Sequence, residues 1–429
     1  MDNYRGLVCQ IKVRPHPNAQ RLVLASCYGA TIITSINTPD NSIGVYFEAG
    51  SQLDQGFSLH TNLLRKHPIT GEKLTGYMDP NCKVRSLKLR GIIADGLWLP
   101  LKDLEYFGDV SYLKPGDSFN ELNGHAVCWK FIPPFMKRKE RAEGKQGPIK
   151  KKLFPSFYEI GDMDKLIYNL QAIPKGAHVY IEEKRHGSSQ RTGYHQRDYS
   201  DLPWYKQLWF ALTGRMLEWH KVLGTRRVVF DPDRPVKGGY YDDNTFRERA
   251  HNKINGLPGE TFYYELVGYE GPGKTIMPRL SPGTDDLGKE IQAIYGNQII
   301  YSYGCPDGES RLEIYKITQL TPDGRVLTLP AYQARARAMS LGLDYVPLLD
   351  QFIYNGNPQD FIDQCLILAE GSATDSPSHP REGIVVLVEH PEMRKVFKLK
   401  SKYFTYLEGI GYDGDRYLDT EEMDEEKAE

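Results

Sequence analysis

The run from Val179 to Arg191 reads as a buried strand that ends on one lysine, Lys184, with Gly187 just beyond it to let backbone approach closely. A lysine delivered into a pocket by a strand is a candidate nucleophile. The tetrapeptide Lys-x-x-Gly cannot select it alone, because the chain holds five, beginning at Lys73, Lys88, Lys184, Lys221 and Lys253. Lys184 is set apart by an ordered series of residues C-terminal to it: Glu265 in Tyr264-Glu-Leu-Val-Gly268, Tyr315 in Glu313-Ile-Tyr-Lys-Ile317, Glu382 in Glu382-Gly-Ile-Val-Val386, and then Lys398 and Lys400. Side chains alternate along a strand, so Lys398 and Lys400 point one way and Phe397 and Leu399 the other. Alone, such a pair suits a half-solvated strand with lysines outward. Glu382, at the mouth of the preceding apolar strand, instead gives one acid and two bases near a common site.

These residues need strands to carry them, and the sequence offers β-type runs at 227–230, 261–267, 298–303, 311–317, 383–388 and 395–400. Helical patterns fall at 331–341 and 358–370. A third, 201–218, sets Trp204, Leu208, Leu212 and Met216 at spacings of four, a face expected to be core. Residues 156–410 therefore read as an α+β domain of antiparallel sheets with flanking helices. Ahead of it, residues 1–128 hold short β-type runs (6–13, 31–34, 43–47) punctuated by turn residues, which suggests a small barrel or sandwich. Residues 129–155 form a basic linker containing Pro133-Pro134, either a solvated connector or a phosphate-contacting arm. Residues 411–429 are an acidic tail, expected to fray.

The formal net charge of −2 excludes a whole-molecule basic field, so nucleic-acid binding would rest on local patches. Six scattered cysteines without a Cys-x-x-Cys pair argue against a zinc site and a disulfide framework. With no apolar leader and no stretch near eighteen apolar residues, a cytoplasmic protein is expected.

In the N-terminal part, His16-Pro-Asn-Ala-Gln-Arg-Leu22 and Leu87-Lys-Leu-Arg-Gly-Ile-Ile-Ala-Asp-Gly-Leu-Trp98 resemble the oligonucleotide-binding (OB) barrel of tRNA-binding modules, although Gln20 stands where that family usually has Asp. Arg90 and Trp98 then either face nucleic acid or merely complete the barrel. The ordered set from Lys184 to Lys400 resembles the covalent nucleotidyltransferase superfamily of ATP-dependent ligases and capping enzymes. Lys184-Arg-His-Gly187 matches motif I, Glu265 motif III, Tyr315 motif IIIa, Glu382 motif IV, and Lys398 with Lys400 motif V. His186 resembles the Lys-x-His-Gly form of nick-sealing RNA ligases. An OB barrel ahead of the catalytic domain is similar to the RNA ligase clade typified by the Naegleria and Deinococcus enzymes. For motif Ia, Arg226 in Gly224-Thr-Arg-Arg-Val-Val-Phe230 comes first, with Arg227 as alternate and Arg191 as competitor.

The resemblance implies that Lys184 attacks the α-phosphorus of ATP, and that Lys398 and Lys400 disfavour its protonation and stabilise phosphate oxygens. It implies Glu265 and Glu382 as oxygen ligands of Mg2+ or Mn2+, Tyr315 stacked on adenine, Glu183 accepting its exocyclic amine, and His186, Gly187 and an arginine (Arg226, Arg227 or Arg191) around the nucleotide. The expected activity is that of a monomeric ATP-dependent RNA ligase sealing 3′-hydroxyl/5′-phosphate breaks, nicks in RNA or RNA/DNA duplexes, through lysyl-AMP and an adenylylated 5′ end. The alternatives are an RNA-capping guanylyltransferase and a non-catalytic RNA-binding protein.

Overall fold

A computed structural model describes residues 4–132, 152–200, 202–230 and 244–409. Most of the expected linker (133–151), Asp201 and the acidic tail lie outside the described residues.

The N-terminal part starts with one extended run broken at the fully buried Ile11, giving β1 (Gly6–Gln10) and β2 (Lys12–Pro15). β2, β3 (Leu22–Cys27) and β4 (Ala30–Ser35) make an antiparallel three-stranded sheet. β1 pairs with β5 (Ile43–Glu48), β5 with β6 (Gly96–Pro100), and the far edge of β1 with β7 (Ser118–Phe119). Alternation splits the apolar residues between two cores: Leu7, Cys9, Tyr46 and Trp98 enter one, Val8, Val45, Phe47 and Leu97 the other. Among the described residues the pairings form open sheets, and the expected barrel is not closed by hydrogen bonds. Trp98 is core, whereas Arg90 is exposed with φ 49° just before Gly91.

Two sheets build the rest. In chain order the main elements are β8 (Asp164–Lys165), β9 (His178–Lys184), β10 (Ser188–Gln196), α1 (Trp204–Leu212), β11 (Trp219–Thr225), α2 (Thr245–Lys253), β12 (Glu260–Gly271), β13 (Ser310–Leu320), β14 (Val326–Thr328), α3 (Ala331–Ser340), β15 (Leu348–Ile353), α4 (Pro358–Ala369), β16 (Gly383–His390) and β17 (Met393–Lys400). The first sheet runs β8-β17-β16-β9-β15; the second runs β11-β10-β12-β13-β14, with two short strands added at β12 and β13. Behind the first, Val179, Ile181, Val386 and Phe397 pack on Phe361 and Cys365 of α4. That helix starts where Asn357 caps the N–H groups of Gln359 and Asp360, with Pro358 in its first turn. Behind the second sheet, α2 and α3 present Phe246, Ala250, Ala334 and Ala338 to Phe262, Tyr264 and Ile314.

The N-terminal sheets dock on the first of these. Tyr168 completes the core around Leu7, and Lys165 reaches both carboxylate oxygens of Glu48 at 2.7 Å. No helix among the described residues is long and apolar enough to cross a membrane.

Three expectations fail. The strand expected at 227–230 is instead β11, and the chain turns at Arg226 and Arg227 before returning beside it. Residues 298–303 make only an isolated bridge from Ile299 to Leu280, and the buried Tyr301 and Tyr303 there serve packing rather than a sheet. The third failure is the apolar face at 201–218. The helix stops at Leu212, and Trp204 and Leu212 are 75% and 79% exposed, with Leu208 and Met216 also uncovered. Helical periodicity tells which side chains share a face, and the neighbouring elements decide whether that face is covered.

Candidate active site

A cleft of about 930 Å³ opens between the two sheets. On the first wall the register runs straight across three strands, in rows Glu182–Val385–Lys398 and Lys184–Gly383–Lys400. Residues opposite each other in a sheet share a face. Glu182, Lys184, Val385 and Lys398 accordingly line the cleft. A Cβ on Gly383 would lie 2.2 Å from the Leu399 carbonyl oxygen, so only glycine keeps β16 and β17 in register between the two lysines.

The Lys184 side chain is 5% exposed, and its Nζ lies 2.6 Å from Oε1 of the fully buried Glu382. Lys400 lies on the same face but is turned aside: its Nζ meets the Glu408 carboxylate at 2.8 and 3.0 Å above the Phe404 ring, and it is not part of the cleft wall. Of the two expected phosphate lysines, Lys398 lines the cleft.

The structure places the other motif I residues as follows. Glu183 points to the opposite face from Lys184, where its carboxylate accepts from Arg185 Nη1 at 2.7 Å and the Thr374 N–H at 2.9 Å. The carboxylate that shares the lysine's face is Glu182, one residue earlier, which the two-residue period could have indicated. His186 is held inside the protein: its N–H donates to the Tyr303 hydroxyl at 2.7 Å, and its ring sits edge-on to Tyr301 and Phe404, 4.8 Å from each. Gly187 lines the cleft and also serves a backbone contact within the protein, since a Cβ there would stand 2.3 Å from the Leu266 carbonyl oxygen.

Arg185, unassigned in the sequence, ties the site together. Its guanidinium meets Glu313 of the second sheet at 2.6 Å, Glu183 at 2.7 Å and Asp375 at 2.9 Å, over the Tyr303 ring. Burial alone would lower its pKa, but Glu313 and Glu183 raise it.

Glu182 is 2% exposed and accepts from Arg335 Nη2 at 3.1 Å. Burial pushes its carboxyl up to about 8, with Arg335 opposing the rise and Glu389 adding to it.

The second wall works differently. Ser189 stands opposite Glu265 and donates to its Oε2 at 2.7 Å. The β12–β13 register jumps from Tyr263/Lys316 to Tyr264/Ile314, leaving Tyr315 as the extra residue of a bulge. The bulge lets two successive residues, Tyr315 and Lys316, both reach the cleft. Burial, and next Glu265, push the Tyr315 hydroxyl well above its usual range. Lys316 carries no signal in the sequence, because a bulge cannot be read from alternation.

Arg226 and Arg227 line the cleft from the turn after β11, and Arg226 is paired with Asp162. Arg191 is fully buried 4.6 Å over Phe157, and its Nη1 donates to the carbonyls of Thr225 and Arg226. It props the arginine turn and does not reach the cleft itself.

For a divalent ion, the donor chemistry fits in part. Glu265 offers hard carboxylate oxygens on the wall, and no cluster of three or more His, Cys, Asp or Glu stands ready among the described residues. An ion there would complete its shell with phosphate oxygens and water, as Mg2+ commonly does.

No family model and no curated protein matches the sequence. Solved structures do. The apo form of a point mutant of Naegleria gruberi RNA ligase matches with 18% identity over 95% of this chain and 98% of that one, at a TM-score of 0.50. The chain shares that RNA ligase's fold. Two further mutants of the same ligase, one with ATP and Mn and one with AMP and Mn, match at 17% identity over 96% and 94% of this chain, covering 99% and 98% of theirs, with TM-scores of 0.47 and 0.49. The fold assignment rests on the first. In the shared fold both sheets and the N-terminal part are included, since the match spans nearly the whole chain.

Proposed function

We propose that the protein is an ATP-dependent RNA ligase that works through a lysyl-AMP on Lys184 and joins a 3′-hydroxyl to a 5′-phosphate, at nicks in RNA or RNA/DNA duplexes. One observation carries this reading: a buried lysine ends a central strand at a nucleotide-sized cleft, 2.6 Å from a buried carboxylate, with Glu265, Tyr315 and Lys398 lining the same cleft. Likeness in fold to a protein named RNA ligase supports it.

Attack requires a neutral amine. Glu382 is within reach to take the proton from Lys184, and Lys398 disfavours its return. The amine then forms a P–N bond to the α-phosphorus as the bond to pyrophosphate breaks. Glu265 would hold Mg2+ or Mn2+, and such an ion would screen the phosphate charge. Tyr315 offers a stacking surface for adenine and Glu182 an acceptor for its amine. Arg226 and Arg227 suit the 5′-phosphate of the RNA, and the N-terminal sheets, read as an OB-type module, suit the duplex.

The test is sealing of matched nicked RNA and DNA duplexes by the purified chain with ATP and Mg2+. Sealing of the RNA nick, abolished by Lys184→Ala, is expected. Guanylate transfer from GTP to a diphosphate RNA end would favour a capping enzyme, and salt-sensitive RNA binding with no joining would contradict any ligase.

A further inference from the structure

The helix α1 is docked with its apolar side outward. It leaves the body where the β10–β11 ladder ends at Gln196 and Trp219, and its inner side is fixed: Phe210 packs edge-on to Tyr199 at 4.9 Å, and Gln207 donates to the Leu202 carbonyl at 2.6 Å. On the other side Trp204, Tyr205, Leu208, Trp209 and Leu212 share an arc of about 140°, as the helical repeat dictates. Each of the five is at least half exposed. The chain then turns at Gly214, with φ 74°, and adds the exposed Leu217 and Trp219 to the projection.

Area and charge together say what such a face meets. With ~150–250 Å² for an aromatic side chain and ~100 Å² for a leucine, scaled by exposure, roughly 600–700 Å² of apolar surface stands uncovered. The largest patch on a typical monomer is about 300–600 Å², whereas each partner in a stable protein pair buries about 800 Å². Between Trp204 and Trp219 the charged residues are Lys206, Arg215 and Glu218, all exposed, and Arg215 lies 4.8 Å over the Trp209 ring. A surface for RNA or for an anionic bilayer carries an excess of Lys and Arg. One further cation and one anion, Lys206 and Glu218, instead suit a face that meets its own copy, where a two-fold axis can set each charge against its opposite.

We infer that this face is a contact between two copies of the chain, with α1 of one packed on α1 of the other, a departure from the monomer expected from the sequence. Trp204, Leu208 and Leu212 stand in a single row at spacings of four, and rows of that kind interdigitate when two helices cross at about −50°. The same row is the pattern that reads as core in the sequence, and a second copy makes it core. The ladder from Trp219 to Thr225 sets α1 roughly 20 Å from the arginine turn, so pairing here leaves both clefts open.

The test is the mass of the nuclease-treated full chain in solution, by sedimentation equilibrium from about 1 to about 50 μM. The mass should approach twice that of one chain at the upper end, and should hold at about 1 M salt because the contact is apolar. Leu208→Glu with Leu212→Glu should return it to one chain throughout. Both side chains point to solvent in the single copy, so the circular dichroism of that variant should match wild type. A wild-type chain that stays single at every concentration overturns the inference, as does a dimer that survives the double substitution. A single chain that binds anionic vesicles or nicked RNA, and loses that binding with the two glutamates, overturns it by giving the face to lipid or RNA. The outcome is independent of the ligase reading.

Discussion

The first wall of the cleft holds Glu182, Lys184 and Lys398 by unbroken register across β9, β16 and β17, whereas the second holds Tyr315 and Lys316 by a fault in register and Arg226 by a turn. A regular sheet fixes the spacing of its side chains to the strand repeat, which suits a reaction whose nucleophile must meet one phosphorus atom. A bulge and a turn re-aim side chains individually, which suits groups that grip a nucleotide or an RNA end. Arg185 joins the two, through Glu183 on one side and Glu313 on the other. The division predicts that substitutions of Lys184 and Lys398 in the first wall act on bond formation and those in the second wall on affinity and charge screening.

Four outcomes would break or sharpen that division. The largest is Lys184→Ala, which should abolish covalent nucleotide transfer while leaving the protein folded, as read by labelling and circular dichroism together. Next, Glu265→Ala should slow lysine labelling about a hundredfold or more and raise the Mg2+ concentration needed for half-maximal rate, as loss of an ion's ligand requires. Should its dependence on Mg2+ stay unchanged, the second wall has no part in charge screening. Tyr315→Ala should raise KM for ATP roughly 10- to 100-fold, the scale of one stacked base, with a smaller change in kcat. A fall in kcat alone would move Tyr315 into the chemistry and erase the distinction.

The smallest is a difference in acid response. His195, bonded to Thr261, and His251, bonded to Thr192, support the second wall, and burial, then a nearby cation, lowers each to about 4. Their folded values lie below the unfolded value of about 6.5, so the unfolded chain binds more protons and this stability is lost as pH falls from about 6.5 towards 4. Glu182 in the first wall shifts the other way, raised to about 8, so its contribution is lost as pH rises through that value. Amide hydrogen exchange at about pH 5 should show β10 and β11 opening before β9. Equal loss of protection in both would show that the walls share one cooperative unit.

Legibility in the sequence divides along the same line. Strict alternation brings Lys398 to the correct face of β17 and makes β9 the strand that delivers Lys184. It also contains Glu182, because the face of Lys184 is reached in steps of two; Glu183, the residue expected there, is one step away and faces elsewhere. Nothing in alternation foretells that Lys400 turns to Glu408, at the end of the short helix that follows the strand, or that a bulge carries Lys316 into the cleft. His186 and Arg191 look like ligand contacts by type and position, but partners distant in sequence, Phe404 and Phe157, hold them inside the protein. The same limit explains α1: Trp204, Leu208 and Leu212 do share a helical face, but no described element covers it. In the N-terminal part, strand positions are readable from turn residues, and closure into a barrel is not, because closure depends on which edges meet.

The most direct measurement is to incubate the chain with Mg2+ and ATP labelled at the α-phosphate, digest it, and map the labelled peptide by mass spectrometry. The account predicts one adenylylated residue, Lys184, through a P–N bond that survives alkali and is released by acid, together with release of pyrophosphate. Label on any other lysine, or no covalent label with the protein folded and Mg2+ present, would contradict it.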